Sequence, residues 1–130
     1  MHTQSAAKTV DRIIDVFPHE QQEQIRATLA DSLQAVVSQT LFKRRDGKGR
    51  WAALEILIVT PAVRNLIRDN KTFQIPTVLQ TGKKYGMQSL DDGIMDLLNK
   101  RRINPEDAYL HCLDKERFRA FIGHASDEFE

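Results

Sequence analysis

Apolar side chains recur at helical spacing in two stretches of the first forty residues. The first stretch, residues 6–17, follows Ser5, a residue type that caps helix N-termini, and precedes Pro18, which cannot continue a helix. The second stretch begins in the polar segment HEQQEQ and runs to about Ser38. Its apolar stripe consists of Ile25, Leu29, Leu33, Val36 and Val37. The pattern predicts two amphipathic helices.

The hydrophobic pattern then becomes extended. Two apolar, β-prone runs, QTLFKRR and RWAALEILIV, flank the segment DGKG, and an Asp46-Gly47 pair in such a loop indicates a β-hairpin. The second run is apolar at nearly every position, which favours a strand covered on both faces. A lone hairpin is at best marginally stable in water, so we expect this hairpin to belong to a larger sheet.

From Thr60 onwards the pattern is helical. Thr60 is a candidate cap, and Pro61 suits the first position of a helix over residues 61–69. Four further helices are predicted: residues 73–81, with Gly82 beyond them; a helix that Ser89 begins in the capping-box sequence SLDD and that ends in NKRR; one starting at Asn104-Pro105; and one between Asp114 and Gly123. The sequence therefore predicts a mainly α-helical segment with one β-hairpin.

Composition narrows the class of protein. Nineteen Lys and Arg against eighteen Asp and Glu give a net charge of +1, which supplies no overall field toward nucleic acid or an anionic membrane. The longest apolar run, residues 52–59, is too short to span a bilayer and is interrupted by Glu55, and no signal peptide precedes it. Cys112 is the single cysteine, so no intramolecular disulfide forms. We expect a cytoplasmic protein without direct membrane insertion, whose residues 123–130 form an acidic tail.

Two glycine-bearing segments, GKGR and TGKK, resemble parts of a phosphate-binding loop. A Walker A loop requires G-x-x-x-x-G-K-[ST], so that backbone amides surround the phosphates. Gly82-Lys83 is followed by Lys84, and Thr77 occupies the position of the first glycine. Neither segment meets the motif.

Other candidate chemistry has a structural interpretation. His111 adjoins Cys112 without a second metal-type pair, so a zinc site is not predicted, and Cys112 is interpreted as a small buried residue. Asp91 and Asp92 lie in the first turn of a helix, where carboxylates favour the dipole. The basic segments FKRRDGKGR and NKRR carry the charge to contact phosphates of DNA or RNA, but a basic hairpin tip and a basic helix end are normal solvated features, which is the favoured interpretation.

The segment TPAVRNLIRDN separates into two arcs at 100° per residue. Ala62, Val63, Leu66 and Ile67 form the apolar arc, and Arg64, Asn65, Arg68 and Asp69 form the polar arc. Arg64 and Arg68, four residues apart, repel one another unless an anionic group lies near them. Asp69 or a neighbouring carboxylate is the expected partner.

The same residues carry a resemblance to a known family. AVRNLIRD closely resembles the AIRNLIRE signature of the PilT family, the twitching-motility motor ATPases that retract type IV pili, with Val63 in place of isoleucine and Asp69 in place of glutamate. We call residues 62–69 the signature segment. HTQSAAKTVDRIIDVFP resembles the end of the family's His box and the following helix, and LQTGKKYGMQSLDD resembles the segment beyond the signature. The resemblance extends over residues 2–122.

The resemblance implies an α/β parent fold with a RecA-like P-loop NTPase core, of which residues 1–122 form a C-terminal portion without the Walker A and Walker B motifs. It implies that the signature segment converts ATP turnover into retraction. Its members are Ala62, Val63, Arg64, Asn65, Leu66, Ile67, Arg68 and Asp69. His2 matches the second histidine of the His box, which in the family lies near the nucleotide γ-phosphate.

The resemblance also implies cofactors and partners. The intact family binds ATP and Mg²⁺, forms homo-hexamers and meets an inner-membrane pilus platform protein; nucleic acid is not expected as a partner. We expect this chain alone to be a fragment that binds no cofactor and does not hydrolyse ATP. The alternative hypothesis is a free-standing helical interaction module derived from the motor, and a helical nucleic-acid-binding domain is a third.

Overall fold

The computed structural model describes residues 5–122, which form α-helices around one antiparallel hairpin. Their bounds are α1 (Ala6–Asp15), α2 (His19–Ser32), β1 (Ala35–Lys43), β2 (Arg50–Ile58), α3 (Pro61–Arg68), α4 (Ile75–Thr81), α5 (Leu90–Asn99), α6 (Pro105–His111) and α7 (Lys115–Ile122), with 3₁₀ turns at Thr72–Gln74 and Lys83–Tyr85. The prediction of a mainly α-helical segment with one hairpin is confirmed. His2, Gly123 and the acidic tail lie outside the described residues.

The first two helices differ in how well the sequence predicted them. Ser5 caps α1 as expected, because its hydroxyl accepts the backbone N–H of Lys8 at 3.1 Å. The extension of α2 to Ser38 is wrong, since α2 ends at Ser32 and Leu33 is already extended. The β-branched Val36 and Val37 belong to β1 instead, where pairing with β2 overrides the helical spacing of their side chains.

The hairpin has a simple register, with Ala35 opposite Ile58 and Lys43 opposite Arg50. The expectation that β2 is covered on both faces is only half right. Residues Ala53, Glu55 and Leu57 are buried on the inner face, whereas the intervening positions 54, 56 and 58 are half-buried. The outer face is therefore apolar and incompletely covered.

One edge of the hairpin is covered by a helix, and the other is not paired with any described residue. Helix α5 lies against the edge of β2, where a Cβ on Gly93 would come within 2.8 Å of the Leu54 carbonyl oxygen, so only glycine permits this approach. Just before β1, the N–H of Val59 donates to the Gln34 carbonyl oxygen. Because hydrogen-bonded positions alternate along an antiparallel pair, the even-numbered residues of β1 bond to β2. The backbone groups of positions 37, 39 and 41 point to the other edge, and no described residue pairs with them.

The core divides into two clusters that meet at β2. The N-terminal cluster joins α1, α2, α3 and α4, and the C-terminal cluster joins α5, α6 and α7. Strand β2 contributes Leu57 to the former and Ala53 to the latter. Glu55 lies between these two positions on the same buried face. None of the helices in residues 5–122 has the length and apolar character that a membrane crossing requires.

Candidate functional site

The signature segment forms helix α3 and its C-terminal boundary. The Thr60 hydroxyl accepts the Val63 backbone N–H at 3.4 Å, and Pro61 occupies the first turn, as predicted. Val63 and Ile67 are fully buried in the N-terminal cluster. The helix ends at Arg68, and Asn70, with a φ of 60°, turns the chain away.

The two arginines of α3 both contact the C-terminal end of α2. The Arg64 Nε donates to the Ala30 carbonyl oxygen at 2.8 Å, and this carbonyl is one of the last four of α2, which lack partners inside the helix. The Arg68 guanidinium lies 2.8 Å from an Asp31 carboxylate oxygen and also donates to Asn65 Oδ1 at 3.2 Å. Cations are stabilised at a helix C-terminus, so both contacts have the favourable sign.

Tertiary contacts decide one open point and correct another. Of the two expected partners, a neighbouring carboxylate, Asp31, pairs with Arg68, whereas the exposed Asp69 makes no side-chain ion pair within the described residues. Ala62, assigned to the apolar arc, is exposed. Beyond α3, the hydroxyl of the buried Thr72 donates to Asp11 Oδ1 at 2.7 Å, which connects the end of the signature segment to α1.

Sequence reasoning missed the role of Glu55, whose side chain is 5% exposed. Its carboxylate accepts the backbone N–H of Ala6, the first residue of α1, at 2.6 Å. Burial raises the pKa of Glu55, although the backbone N–H groups of Ala6 and of Leu90, the first residue of α5, oppose the rise. A lone acid in an otherwise apolar strand was the sequence signal.

Asp91 and Asp92 do more than favour the helix dipole. The buried Asp91 accepts the backbone N–H groups of Leu113 and Asp114 at 2.8 and 2.9 Å, so it fixes the turn that leads into α7. Asp92 pairs with Arg117 at 2.7 Å. Burial acts to raise the pKa of Asp92, but the hydrogen bond and charge of Arg117 outweigh it and hold that pKa below its usual value.

These carboxylates line a cleft of about 730 Å³ between the two core clusters. Its charged walls include Glu55, Lys83, Asp91, Asp92 and Arg117. The charges are paired with each other or with backbone groups. The Ser89 hydroxyl, which also lines the cleft, accepts the backbone N–H of Asp92 at 3.1 Å as the cap of α5.

The glycine-bearing segments do not fit a nucleotide phosphate. Gly82 ends α4, so it lies at the carbonyl end of a helix, and the N–H groups of Gly82, Tyr85, Gly86 and Met87 all donate to backbone carbonyls. In the hairpin turn, the Asp46 carboxylate accepts the N–H of Lys48 at 2.9 Å and repels an anion. A phosphate cradle requires free amides, so no step of ATP chemistry is assigned to these loops.

The remaining predicted site residues have simple positions. His2 lies outside the described residues. Cys112 is buried in the C-terminal cluster, and burial raises the pKa of its thiol. Within residues 5–122, no group of three or more His, Cys, Asp or Glu side chains is arranged to hold a metal ion.

Comparison with known proteins identifies relatives of this arrangement. The chain is 56% identical over 116 residues to a twitching motility protein of Neisseria gonorrhoeae, covering 89% of this chain and 31% of the relative. It is 52% identical over 108 residues to the type IV pilus retraction ATPase PilT of Pseudomonas aeruginosa, covering 83% and 31%. A crystal structure of the pilus retraction motor PilT with bound ADP matches with a TM-score of 0.74 and 37% identity, covering 92% of this chain and 33% of that one. No protein-family model matches.

The fold and these similarities relate this chain to one class of protein, the pilus-motor ATPases. Within that class it is similar over most of its length to a segment of the PilT-type twitching-motility ATPases, as the signature segment indicated. The chain spans about a third of the length of the curated relatives that it matches.

Proposed function

We propose that this chain acts as the C-terminal ATPase-domain segment of a type IV pilus retraction motor, in which it couples ATP hydrolysis to retraction. The observation that carries the proposal is the 56% identity to a twitching motility protein over 89% of the chain. The organisation of α3 agrees with it, because the residues of the signature segment are held by defined contacts rather than by a solvated face alone.

The chain's own residues supply a mechanical connection. Val63 and Ile67 fix α3 in the core, Arg64 and Arg68 fix it to the end of α2, and Thr72 connects its far end to α1. A displacement of α1 or α2 therefore moves α3 with it, while the exposed carboxylate of Asp69 remains available for a partner. This arrangement suits transmission of a conformational change and not bond cleavage.

Nucleotide chemistry belongs to the intact motor in this proposal. ATP and Mg²⁺ bound there would supply the free energy of the conformational change, and His2 is proposed to correspond to the His-box histidine that the family resemblance assigns to the γ-phosphate. In the glycine-bearing loops, the N–H groups of Gly82, Tyr85, Gly86 and Met87 donate to backbone carbonyls, and that of Lys48 donates to the Asp46 carboxylate. We expect no ATP hydrolysis by the chain alone.

The intact motor is proposed to be a cytoplasmic homo-hexamer that acts on an inner-membrane pilus platform protein. The uncovered edge of β1 supports action as part of a larger sheet, since Val37 and Leu41 are 60% and 50% exposed beside backbone groups that no described residue pairs with. A free-standing interaction module, the alternative, would be expected to cover such an edge.

A chimera tests this function. Residues 5–122 replace the matching segment of PilT in a Pseudomonas aeruginosa strain that lacks its own PilT, and twitching zones are measured together with ATP hydrolysis by the purified chimera. We expect both activities to be restored. A folded chimera that hydrolyses ATP but supports no twitching would contradict the coupling role. Phosphate release by the chain alone, above a no-protein control, would contradict its predicted inactivity.

A further inference from the structure

Two basic segments that lie far apart in the sequence meet around Trp51. The Arg45 backbone N–H donates to the Arg102 carbonyl oxygen at 2.9 Å, which joins the hairpin turn to the loop after α5. The guanidinium carbons of Arg102 and Arg44 lie 4.1 and 5.0 Å from the centroid of the Trp51 ring. We call this the Trp51 basic cluster; its members are Arg44, Arg45, Trp51, Lys100, Arg101 and Arg102, and with Asp46 they line a concavity of about 410 Å³.

Most of the cations in this cluster are available to a ligand. Asp46 binds Arg44 at 2.8 Å, and Asp96 lies 3.1 Å from Lys100. In contrast, the side chains of Arg45, Arg101 and Arg102 make no hydrogen bond or ion pair with any described residue. Three guanidinium groups therefore converge on one concave surface without an anionic partner.

Arg101 adopts a backbone conformation that is unfavourable for a residue with a side chain, which indicates that a cation is retained at this position in spite of the strain. Arg101 follows the end of α5 with a φ of 57°, a conformation that glycine adopts at lower cost, and its N–H closes the helix on the Leu98 carbonyl. An arginine here keeps the strain and adds a charge. Strain retained at an exposed position motivates a functional hypothesis.

The charge of the chain is concentrated at this end of the molecule. Lys43, Lys48 and Arg50 of the hairpin bring the local total to eight cations, against the two carboxylates of Asp46 and Asp96, a net charge of +6. Residues 5–122 carry nineteen Lys and Arg against fifteen Asp and Glu, a net charge of +4, so the described residues outside this region carry −2. The attraction for an anion is therefore local, and a long polyanion gains no attraction beyond this region.

We propose that the Trp51 basic cluster binds a short acidic peptide segment of a partner protein. Guanidinium forks bind carboxylates in a bidentate manner, and the three arginines without an anionic partner bring such forks to one concavity. Single-stranded nucleic acid fits less well, because two guanidinium groups already lie over the ring on which a base would stack. The site is separate from the signature segment and does not depend on the retraction role.

Fluorescence anisotropy of the full chain tests the proposal with a labelled peptide in which glutamate alternates with glycine. The variant is Arg45→Glu combined with Arg101→Glu, because both side chains are exposed and make no contact that folding requires. The matched control is Arg12→Glu combined with Lys71→Glu, two exposed cations far from the cluster in sequence. Thermal melts of all three proteins establish that each is folded.

We expect saturable binding that weakens about tenfold or more in the cluster variant, stays within about twofold in the control, and weakens as salt rises from about 50 to about 500 mM. Absence of saturable binding, or equal losses in the two variants, would overturn the proposal. Duplex DNA and vesicles containing anionic phospholipid are added as competitors. Tighter binding of either one than of the peptide would also overturn it, since the site would then serve that polyanion.

Discussion

The two halves of the molecule use charge in opposite ways. On the N-terminal side, Arg64 and Arg68 bring cations to the carbonyl end of α2, and the Arg68–Asp31 pair is exposed to solvent on both sides, at 42% and 67%. On the C-terminal side, buried or half-buried carboxylates satisfy backbone N–H groups, as Asp91 does for the turn before α7. Glu55 does the same at the boundary between the halves.

The exposed ion pair and the buried carboxylates differ in how much they contribute to folding stability. An exposed ion pair contributes little to folding because water and salt screen it, whereas a buried carboxylate that holds two amides leaves both unsatisfied when it is removed. The ion pair of Arg68 in the signature segment is therefore a weak contribution to folding, which is consistent with a role of Arg68 outside folding. The carboxylates of the C-terminal half are supports of the fold itself.

The largest loss in the free energy of unfolding is expected for a substitution in the C-terminal cluster. Phe118 is fully buried there, and Phe118→Ala removes its contacts and leaves a cavity, at a cost of about 3–5 kcal/mol in the free energy of unfolding. Urea unfolding monitored by circular dichroism measures the change. The exposed Phe121→Ala, on the same helix, is the control and is expected to cost much less. Equal losses would mean that α7 packs differently.

Asp91→Ala is expected to lower the free energy of unfolding by about 2–3 kcal/mol, because the N–H groups of Leu113 and Asp114 lose their acceptor. The same urea experiment measures it. Asp69→Ala, which removes an exposed carboxylate from the N-terminal half, serves as the control and is expected to change stability by about 0.5 kcal/mol at most. A loss below about 1 kcal/mol for Asp91→Ala would argue against its structural role.

Glu55, at the boundary between the halves, should make the free energy of unfolding depend on pH. Because its pKa is raised in the folded chain, the folded state binds the proton more tightly than the unfolded state, whose carboxyl has the ordinary value of 4.5. The contribution of this group to stability is thus fully present below 4.5 and is lost as the pH rises through the folded pKa. The neighbouring Asp91 charge acts in the same direction.

Urea unfolding of the native chain and of Glu55→Gln between pH 4 and 7 measures this dependence. We expect the variant to lose less stability than the native chain over this range, since it has no carboxyl to ionise. Asp92 does not confuse the result: its pKa is lowered from the ordinary 3.8, so its contribution is lost only at more acidic pH. Identical slopes for the two proteins would contradict the raised pKa of Glu55.

The smallest effect on stability is expected for Arg68→Ala. Loss of the exposed contact with Asp31 should cost about 0–1 kcal/mol, yet in the PilT chimera the same change should abolish twitching while ATP hydrolysis continues. The exposed Arg12→Ala is the matched control and should leave twitching intact. If Arg68→Ala destabilises the chain as much as Asp91→Ala does, the exposed ion pair contributes as much to stability as the buried carboxylate, which contradicts the proposed difference between the two halves.

Local chemistry in the sequence predicted most of the helix boundaries. Ser5, Thr60 and Ser89 cap α1, α3 and α5 as their side chains suggested, since a cap depends on residues within one turn. The Asp46-Gly47 turn predicted the hairpin for the same reason. The end of α2 was wrong because Val36 and Val37 fit a helical stripe and a strand equally well, and pairing with the distant β2 selected the strand.

The sequence by itself determined the elements, the candidate signature segment and the family resemblance, because each depends on residues that are close together in the chain. Only the tertiary structure decided which charges meet. Asp31 reaches Arg68 across 37 positions, Glu55 reaches Ala6 across 49, and the hairpin turn meets the loop after α5 at Trp51. Spacing cannot reveal such pairs, since they depend on how whole helices pack against the hairpin.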